Sequence, residues 1–284
     1  MRGRRAGRAA SSSLSRGTSL GRRVKKVLLG LSTPTFVSSV DEFLERTARD
    51  GWDFAEFNHL DLPPFSPELL GPEDRRHVRE VADSMGLAIT LHAGDWDLLS
   101  LDPGLRRYAV SRSRVEAQLA RDLGAEYLAT HVGVPQRMML YNGGRRWADE
   151  FFEYGPRIEE AARMLGELAD EIGVRILFEN TFRLVDPILK AFAASPSKNL
   201  GFLLDVGHAN ICGGIKQLYV AMSAGDRLVA MHVHDNSGVR DEHAPLGAGT
   251  VDLTGITFPR FVAIEVRDWQ KAVATREDLK QRYM

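Results

Sequence analysis

The stretch RIEEAARMLGELADEIGVRILFEN, Arg157–Asn180, decides the fold. Over Arg157–Ile172 apolar residues recur at helical spacing, so one face of a helix is built for burial. Gly173 follows, where a left-handed helix C-cap belongs. Arg175–Phe178 is then a short, mostly apolar run without polar alternation, the pattern of a parallel strand covered on both faces. It ends in a carboxylate, Glu179. Helix, glycine stop and buried strand tipped by a polar group form a unit that recurs along the chain.

Working outward, strands are expected at Val27–Leu31, Phe54–Phe57, Ala88–Leu91, Tyr127–Thr130, Arg175–Phe178, Gly201–Leu204, Val229–Val233 and Phe261–Val266. Helical patterns lie between them, among them Pro67–Met85 and Leu105–Leu123, and Gly86 and Gly124 stand at the same stop position as Gly173. Eight such units in one chain of this length predict an α/β fold of the (β/α)8 TIM-barrel type. A doubly wound open sheet is the alternative, weakened because no GxGxxG follows the first strand. The seventh unit is irregular: from Val233 to Phe261 the chain is polar and rich in Gly and Pro, with no full-length helix.

Composition narrows the class. The chain has 284 residues, 44% apolar and 26% charged, with a net charge of −1. That excludes a disordered or collagenous chain, and no run reaches the roughly 18 apolar residues of a membrane span. A single cysteine, Cys212, excludes an internal disulfide framework and suggests a reducing, cytoplasmic setting. The charge is a sum of unlike parts. Residues 1–26 hold seven Arg, two Lys and no acid; without those nine charges, 28 basic residues face 38 acidic ones, a body at −10. The basic segment has little to bury and is expected to be disordered. A transit peptide, a nucleic-acid-binding arm and a non-native start ahead of the clean strand at Val27 are the three readings open for it, the last favoured because the segment is too poor in apolar residues to make an amphipathic transit helix. The domain is expected over residues 27–284.

The chemistry-bearing residues sit where barrel active sites are built, at the C-terminal ends of the strands. Glu56 follows the second strand, His92 the third, His131 the fourth and Glu179 the fifth. Asp205 and His208 follow the sixth, His232 and His234 end the seventh, Asp241 and His243 lie beyond it, and Glu265 is near the end of the eighth. Six of the eight histidines fall in this set. Strand alternation turns Glu179, Asp205 and Glu265 inward with Leu177, Leu203 and Ala263. Imidazoles and carboxylates together are the ligands of Zn²⁺, Mn²⁺ and related ions, and several carboxylates at one mouth repel unless a cation joins them.

At these residues the sequence resembles the xylose-isomerase-like TIM-barrel superfamily, which includes sugar and sugar-phosphate isomerases and epimerases and the endonuclease IV group. The stretches carrying the resemblance are LHAGDWDLLSLDP (Leu91–Pro103), LGAEYLATHVG (Leu123–Gly133), ILFENT (Ile176–Thr181), LLDVGHAN (Leu203–Asn210), MHVHDN (Met231–Asn236), DEHAPLGAG (Asp241–Gly249) and AIEVRD (Ala263–Asp268). The resemblance implies Glu179, Asp205, His232 and Glu265 as ligands of one divalent metal, with Glu179 and Glu265 also as acid and base on opposite sides of a sugar. It also implies His92, His131, His208, Asp241 and His243 as the further ligands with which the endonuclease IV group holds three zinc ions for phosphodiester hydrolysis. Glu56, Trp96 and His234 are candidates for substrate contact.

Two functions therefore stand: a divalent-metal sugar or sugar-phosphate isomerase/epimerase using one ion, or a trinuclear phosphodiesterase using up to three. A −10 body is a poor footprint for nucleic acid, and LSTPTFVSSVDEF (Leu31–Phe43) offers no arginine to grip phosphates. The sugar-directed reading ranks first, and the reduced seventh unit raises a homodimer as a way to cover the barrel wall. A non-catalytic binding barrel ranks last, because no ligand position is lost. Smaller signals read as structure: Gly247 and Gly249 as turn glycines, Gly143–Arg146 as a solvated loop, Cys212 as a small buried residue.

Overall fold

A computed structural model of the chain describes residues 26–33, 37–133, 147–181, 185–212 and 214–284. The basic segment up to residue 25 and the loop Gly143–Arg146 lie outside the described residues. Eight strands alternate with helices: β1 Leu28–Ser32, α1 Val40–Arg49, β2 Phe54–Phe57, α2 Pro72–Met85, β3 Ala88–His92, α3 Pro103–Leu123, β4 Leu128–Thr130, α4 Trp147–Ile172, β5 Ile176–Glu179, α5 Val185–Ala194, β6 Leu200–Asp205, α6 Val206–Ile211, α7 Ile215–Ser223, β7 Leu228–Val233, β8 Phe261–Ile264 and α8 Trp269–Tyr283. Each strand pairs in parallel with the next, and β8 pairs with β1, so the sheet closes into a (β/α)8 barrel.

The expected helix stops are real. Gly86, Gly124 and Gly173 have φ of 69°, 67° and 76°, the left-handed conformation that costs glycine least. Helix starts were less legible. α2 begins at Pro72 rather than Pro67, because Pro72 takes the first helical position and the Asp74 carboxylate accepts from the Gly71 amide at 2.9 Å. α4 begins at Trp147 and runs through Pro156.

Two apolar regions hold the fold. Inside the barrel, Phe54, Tyr127, Ala129, Leu177, Leu203, Ala230, Phe261 and Ala263 form a plug. Phe261 packs edge-on against Phe54 and Tyr127, each at a centroid distance of 5.6 Å. Gly30 is required there: a Cβ on it would lie 2.2 Å from the Phe54 ring. Between sheet and helices lies the larger core. The expected irregular seventh unit is observed, with no helix between Val233 and Phe261. The wall it would leave open is filled from within the chain, since Val251, Leu253 and Ile256 are buried in the outer core. Cys212 is exposed rather than buried, because it caps the short α6 at the barrel rim.

Candidate metal centre

Alternation along the strands carries the lumen from apolar to polar. Phe54 leads to Glu56, Leu177 to Glu179, Leu203 to Asp205, Ala230 to His232 and Ala263 to Glu265, so the functional groups form the layer directly above the plug. Glu179, Asp205, His232 and Glu265 each offer one ligand atom, all within 4.8 Å of one another. Three further groups meet the same criterion: His92, His131 and Glu179; Asp205, His208 and His234; and His234, Asp241 and His243. All nine positions named in the sequence as first or further ligands are thus drawn, together with His234, into one contiguous cluster whose groups share Glu179, Asp205 and His234.

The rings are oriented before any ion arrives. Nδ1 of His92 faces the Ala93 carbonyl at 2.8 Å, that of His208 the Asn180 carbonyl at 2.8 Å, and that of His243 the Glu265 carbonyl at 2.9 Å. His131 Nδ1 lies 2.9 Å from Asp95. Each such contact leaves Nε2 turned to the cluster, the way metal-binding imidazoles are held. Asp205 has two duties: Oδ1 accepts from the His208 amide at 2.6 Å and caps α6, leaving Oδ2 3.2 Å from His234 Nε2. Several buried atoms in the cluster have no hydrogen-bond partner, among them His131 Nε2, His234 Nδ1 and Asp241 Oδ1. Buried lone pairs and ring nitrogens without partners are costly in a folded chain. The donor set therefore fits a divalent cation.

Charges within the cluster compensate one another. Burial disfavours ionised Glu179, yet the imidazoles of His232, His131 and His92 outweigh it and hold the carboxyl well below its usual range. Glu265 is lowered in the same way, burial being overcome chiefly by His232. Conversely, burial opposes charging of His131, but Glu179 and Asp95 push it up to about 10. His208 rises to about 11 against burial, through Asp205 and Asp241. Imidazoles charged in this way must lose protons to bind a metal, so uptake is coupled to pH.

The cluster opens into a cleft of about 510 Å³, lined by Glu179, Glu265, His92, His131, His208, Asp241 and His243 together with Ser32, Asn58, His59, Asp61 and Arg267. Arg267 is the one Lys or Arg among the described lining residues. The three candidates for substrate contact are placed elsewhere. Glu56 and His234 are wholly buried beneath the cleft. Trp96 turns onto α3, donating Nε1–H to Glu116 at 2.8 Å, meeting Tyr108 edge-on and lying under Arg112. Its apolar ring gains more from that packing than from the polar cleft.

Some functional residues were not legible. Asn58 donates to Glu265 Oε1 at 2.8 Å, orienting it; two residues beyond Glu56, it was within reach of the same alternation. Asp235 is fully buried and accepts from the amides of Asn236, Gly247, Gly249 and Val251 at 2.8–3.0 Å, folding the β7–β8 loop that presents Asp241 and His243. Gly247 is there for its φ of 89°, and Gly249 because a Cβ would lie 2.1 Å from the Asn236 carbonyl oxygen.

Glu116 is a buried carboxylate of α3 that accepts from Trp96 and from the Gly94 amide, behind the loop that carries Asp95. Burial lifts it to about 7, only partly offset by those hydrogen bonds. A carboxyl raised in the fold contributes stability that is present below its unfolded value and lost as pH rises through 7. Glu116→Gln, which cannot ionise, is therefore expected to gain stability relative to the parent between about pH 5 and 8, by up to about 3 kcal/mol. Urea unfolding across that range in the presence of chelator measures it, and a difference that stays flat with pH refutes the assignment.

A closed parallel barrel whose strand ends gather histidines and carboxylates defines a TIM barrel with a candidate metal centre at its mouth. A family model described as xylose isomerase-like TIM barrel matches residues 44–259, well over half of the chain, and the chain belongs to that family. An uncharacterized protein of Methanocaldococcus jannaschii, MJ1311, is 26% identical, with 94% of each chain covered. Among solved structures, a D-tagatose 3-epimerase-like protein superposes with a TM-score of 0.75 at 24% identity, over 90% of this chain and 96% of that one. The TTHB071 protein of Thermus thermophilus, soaked with ZnCl2, gives 0.68 at 25% identity, over 89% and 96%. Endonuclease IV of the same organism gives 0.63 at 19% identity, over 89% and 98%. Among the described residues, no helix is long and apolar enough to cross a membrane.

Proposed function

We propose that residues 27–284 form a divalent-metal-dependent enzyme that isomerises or epimerises a small sugar or sugar phosphate by moving a proton between carbon atoms or across one. The observation that carries the reading is the placement of Glu179 and Glu265 together: both line the cleft, and both belong to the group of four ligand atoms that Asp205 and His232 complete. Those four residues would hold the ion, Zn²⁺ or Mn²⁺. When bound, it supplies a Lewis acid that makes a proton next to a carbonyl easier to remove. Glu179 and Glu265, both held ionised, are the bases available to take that proton, and the one that takes it can return it. Asn58 fixes Glu265 through its Oε1, which leaves Oε2, 3.2 Å from His232 Nδ1, facing the metal group. The cleft volume of about 510 Å³ suits a ligand of monosaccharide size.

The likeness to a D-tagatose 3-epimerase-like protein agrees with this reading, and the charge of the wall supports it. A duplex or single strand needs several cations along its backbone, whereas the described cleft offers Arg267 alone. Glu56, Trp96 and His234, all away from the cleft, are assigned no substrate contact. The second reading, a phosphodiesterase with three zinc ions, rests on the three additional ligand groups built by His92, His131, His208, His234, Asp241 and His243. Clustered ions suit in-line displacement at phosphorus.

One measurement bears on both. Elemental analysis of protein purified without chelator is expected to return about one divalent ion per chain for isomerase or epimerase chemistry, and about three for phosphoester hydrolysis. A fully folded protein without metal ends both readings. The metal-loaded protein is then offered ketoses, their phosphates and abasic-site DNA. Exchange of a sugar C–H proton with solvent deuterium, without DNA cleavage, is the expected outcome; cleavage without exchange reverses the ranking.

A further inference from the structure

We propose that Glu56 is the positioning residue for His232, holding its ring so that Nδ1 faces the metal group; this rests on the metal reading of the site given above. Glu56 and His232 are both wholly buried. Glu56 Oε1 lies 2.9 Å from His232 Nε2, a close charge contact outside aligned hydrogen-bond geometry, and neither buried atom has a hydrogen-bond partner. On the opposite side of the ring, Nδ1 lies 3.2 Å from Glu179 Oε1, 3.2 Å from Glu265 Oε2 and 3.8 Å from Asp205 Oδ2. Nδ1 is therefore the atom available to an ion.

The chemistry fixes the rest. An imidazole that presents a lone pair at Nδ1 carries its hydrogen on Nε2. Buried, that N–H needs an acceptor, and Glu56 Oε1 at 2.9 Å is the carboxylate oxygen placed beside it, a small turn of the ring short of alignment. The carboxylate is itself anchored: Oε2 accepts from Tyr127 Oη–H at 2.8 Å and from Thr90 Oγ1–H at 3.2 Å, which leaves Oε1 for the ring. Glu56 comes from β2 and His232 from β7, strands that do not neighbour each other, so the contact crosses the lumen. A carboxylate behind a ligand histidine fixes the ring and makes its ligand nitrogen more basic. Glu56 thus shapes the site without touching substrate.

The test is Zn²⁺ affinity, read by competition with a chromophoric chelator, beside the melting temperature of the metal-free protein. Glu56→Gln keeps the shape and loses the charge. It is expected to weaken Zn²⁺ binding about 10- to 100-fold, with a metal-free melting temperature no lower than the parent's. Tyr127→Phe keeps the carboxylate and removes one of its anchors, and is expected to weaken binding less than Glu56→Gln. A merely structural Glu56 gives the opposite split, a lowered melting temperature with Zn²⁺ affinity within about twofold of the parent, and that result overturns the proposal. If Glu56→Gln does not fold, Glu56→Asp retains the charge but is one methylene short of Nε2; parent-like affinity in that variant also overturns it. A parent protein that takes up no Zn²⁺ brings down the metal reading and this proposal together, whereas a parent that binds and a Gln variant that binds equally well bring down this proposal alone.

Discussion

Glu179→Gln and Glu265→Gln are each expected to lower kcat/KM by at least about 10³-fold on the sugar found to react. Each glutamate has two duties in the proposed site, ligand and proton carrier; an amide cannot carry the proton and is a weaker, uncharged ligand. Glu179 has the wider consequences, because its carboxylate lies 2.7 Å from His92, 3.2 Å from His232 and 3.5 Å from His131. Its loss leaves three imidazoles, those of His92 and His232 buried, without their shared counter-charge, so Zn²⁺ affinity falls along with turnover. Glu265 is held at the cleft wall by Asn58 and faces His232 alone at short range. Its variant keeps more metal and loses turnover. Solvent-deuterium exchange into the sugar and chelator competition, measured on the same samples, separate the two effects. Either variant turning over at more than a tenth of the parent rate removes the acid/base assignment.

Asp235→Ala is expected to cost about 4 kcal/mol and to lower Tm by roughly 10 °C. The fully buried carboxylate takes four backbone amides: Oδ1 those of Asn236 and Val251, Oδ2 those of Gly247 and Gly249. Without it, four N–H groups lose their acceptor, those of Asn236 and Val251 in buried surroundings, and an unpaired buried donor costs far more than the net worth of one hydrogen bond. Asp235→Asn retains one acceptor oxygen, satisfying two of the four amides, and is expected to lose about half as much. Calorimetry of the metal-free proteins measures both. The loop it folds carries Asp241 and His243, so the Ala variant also loses the outermost ligand group while the group of Glu179, Asp205, His232 and Glu265 is retained. A melting temperature within about 2 °C of the parent contradicts this account of the loop.

The barrel was legible because its units are periodic and local. The helix faces, the stops at Gly86, Gly124 and Gly173 and the eight apolar runs are each properties of a few neighbouring residues, and closure follows from their number and order. Positions at strand ends were legible for the same reason: a two-residue alternation tells which side chains enter the lumen. Helix starts were not, since α2 is set by a Gly71–Asp74 contact and α4 continues through a proline that reads as a boundary.

Roles that depend on what lies opposite escaped the linear reading. Glu56 reads as one more mouth carboxylate; only closure shows it buried against His232 from across the barrel. Trp96 reads as an aromatic beside two acids; only the packing of α3 turns its indole to Glu116. Asn58 carries no motif and Asp235 is an unassigned member of MHVHDN, and their importance is a matter of which amides and carboxylates reach them. The sequence by itself determined the barrel, the end at which its chemistry gathers and the types of ligand it offers, because these are encoded in short-range periodicity and residue identity. The tertiary structure decided which of those groups face an ion, which stand behind the ligands and which merely pack, because that depends on contacts between strands and loops distant in the chain, through a lumen that does not exist until the barrel closes.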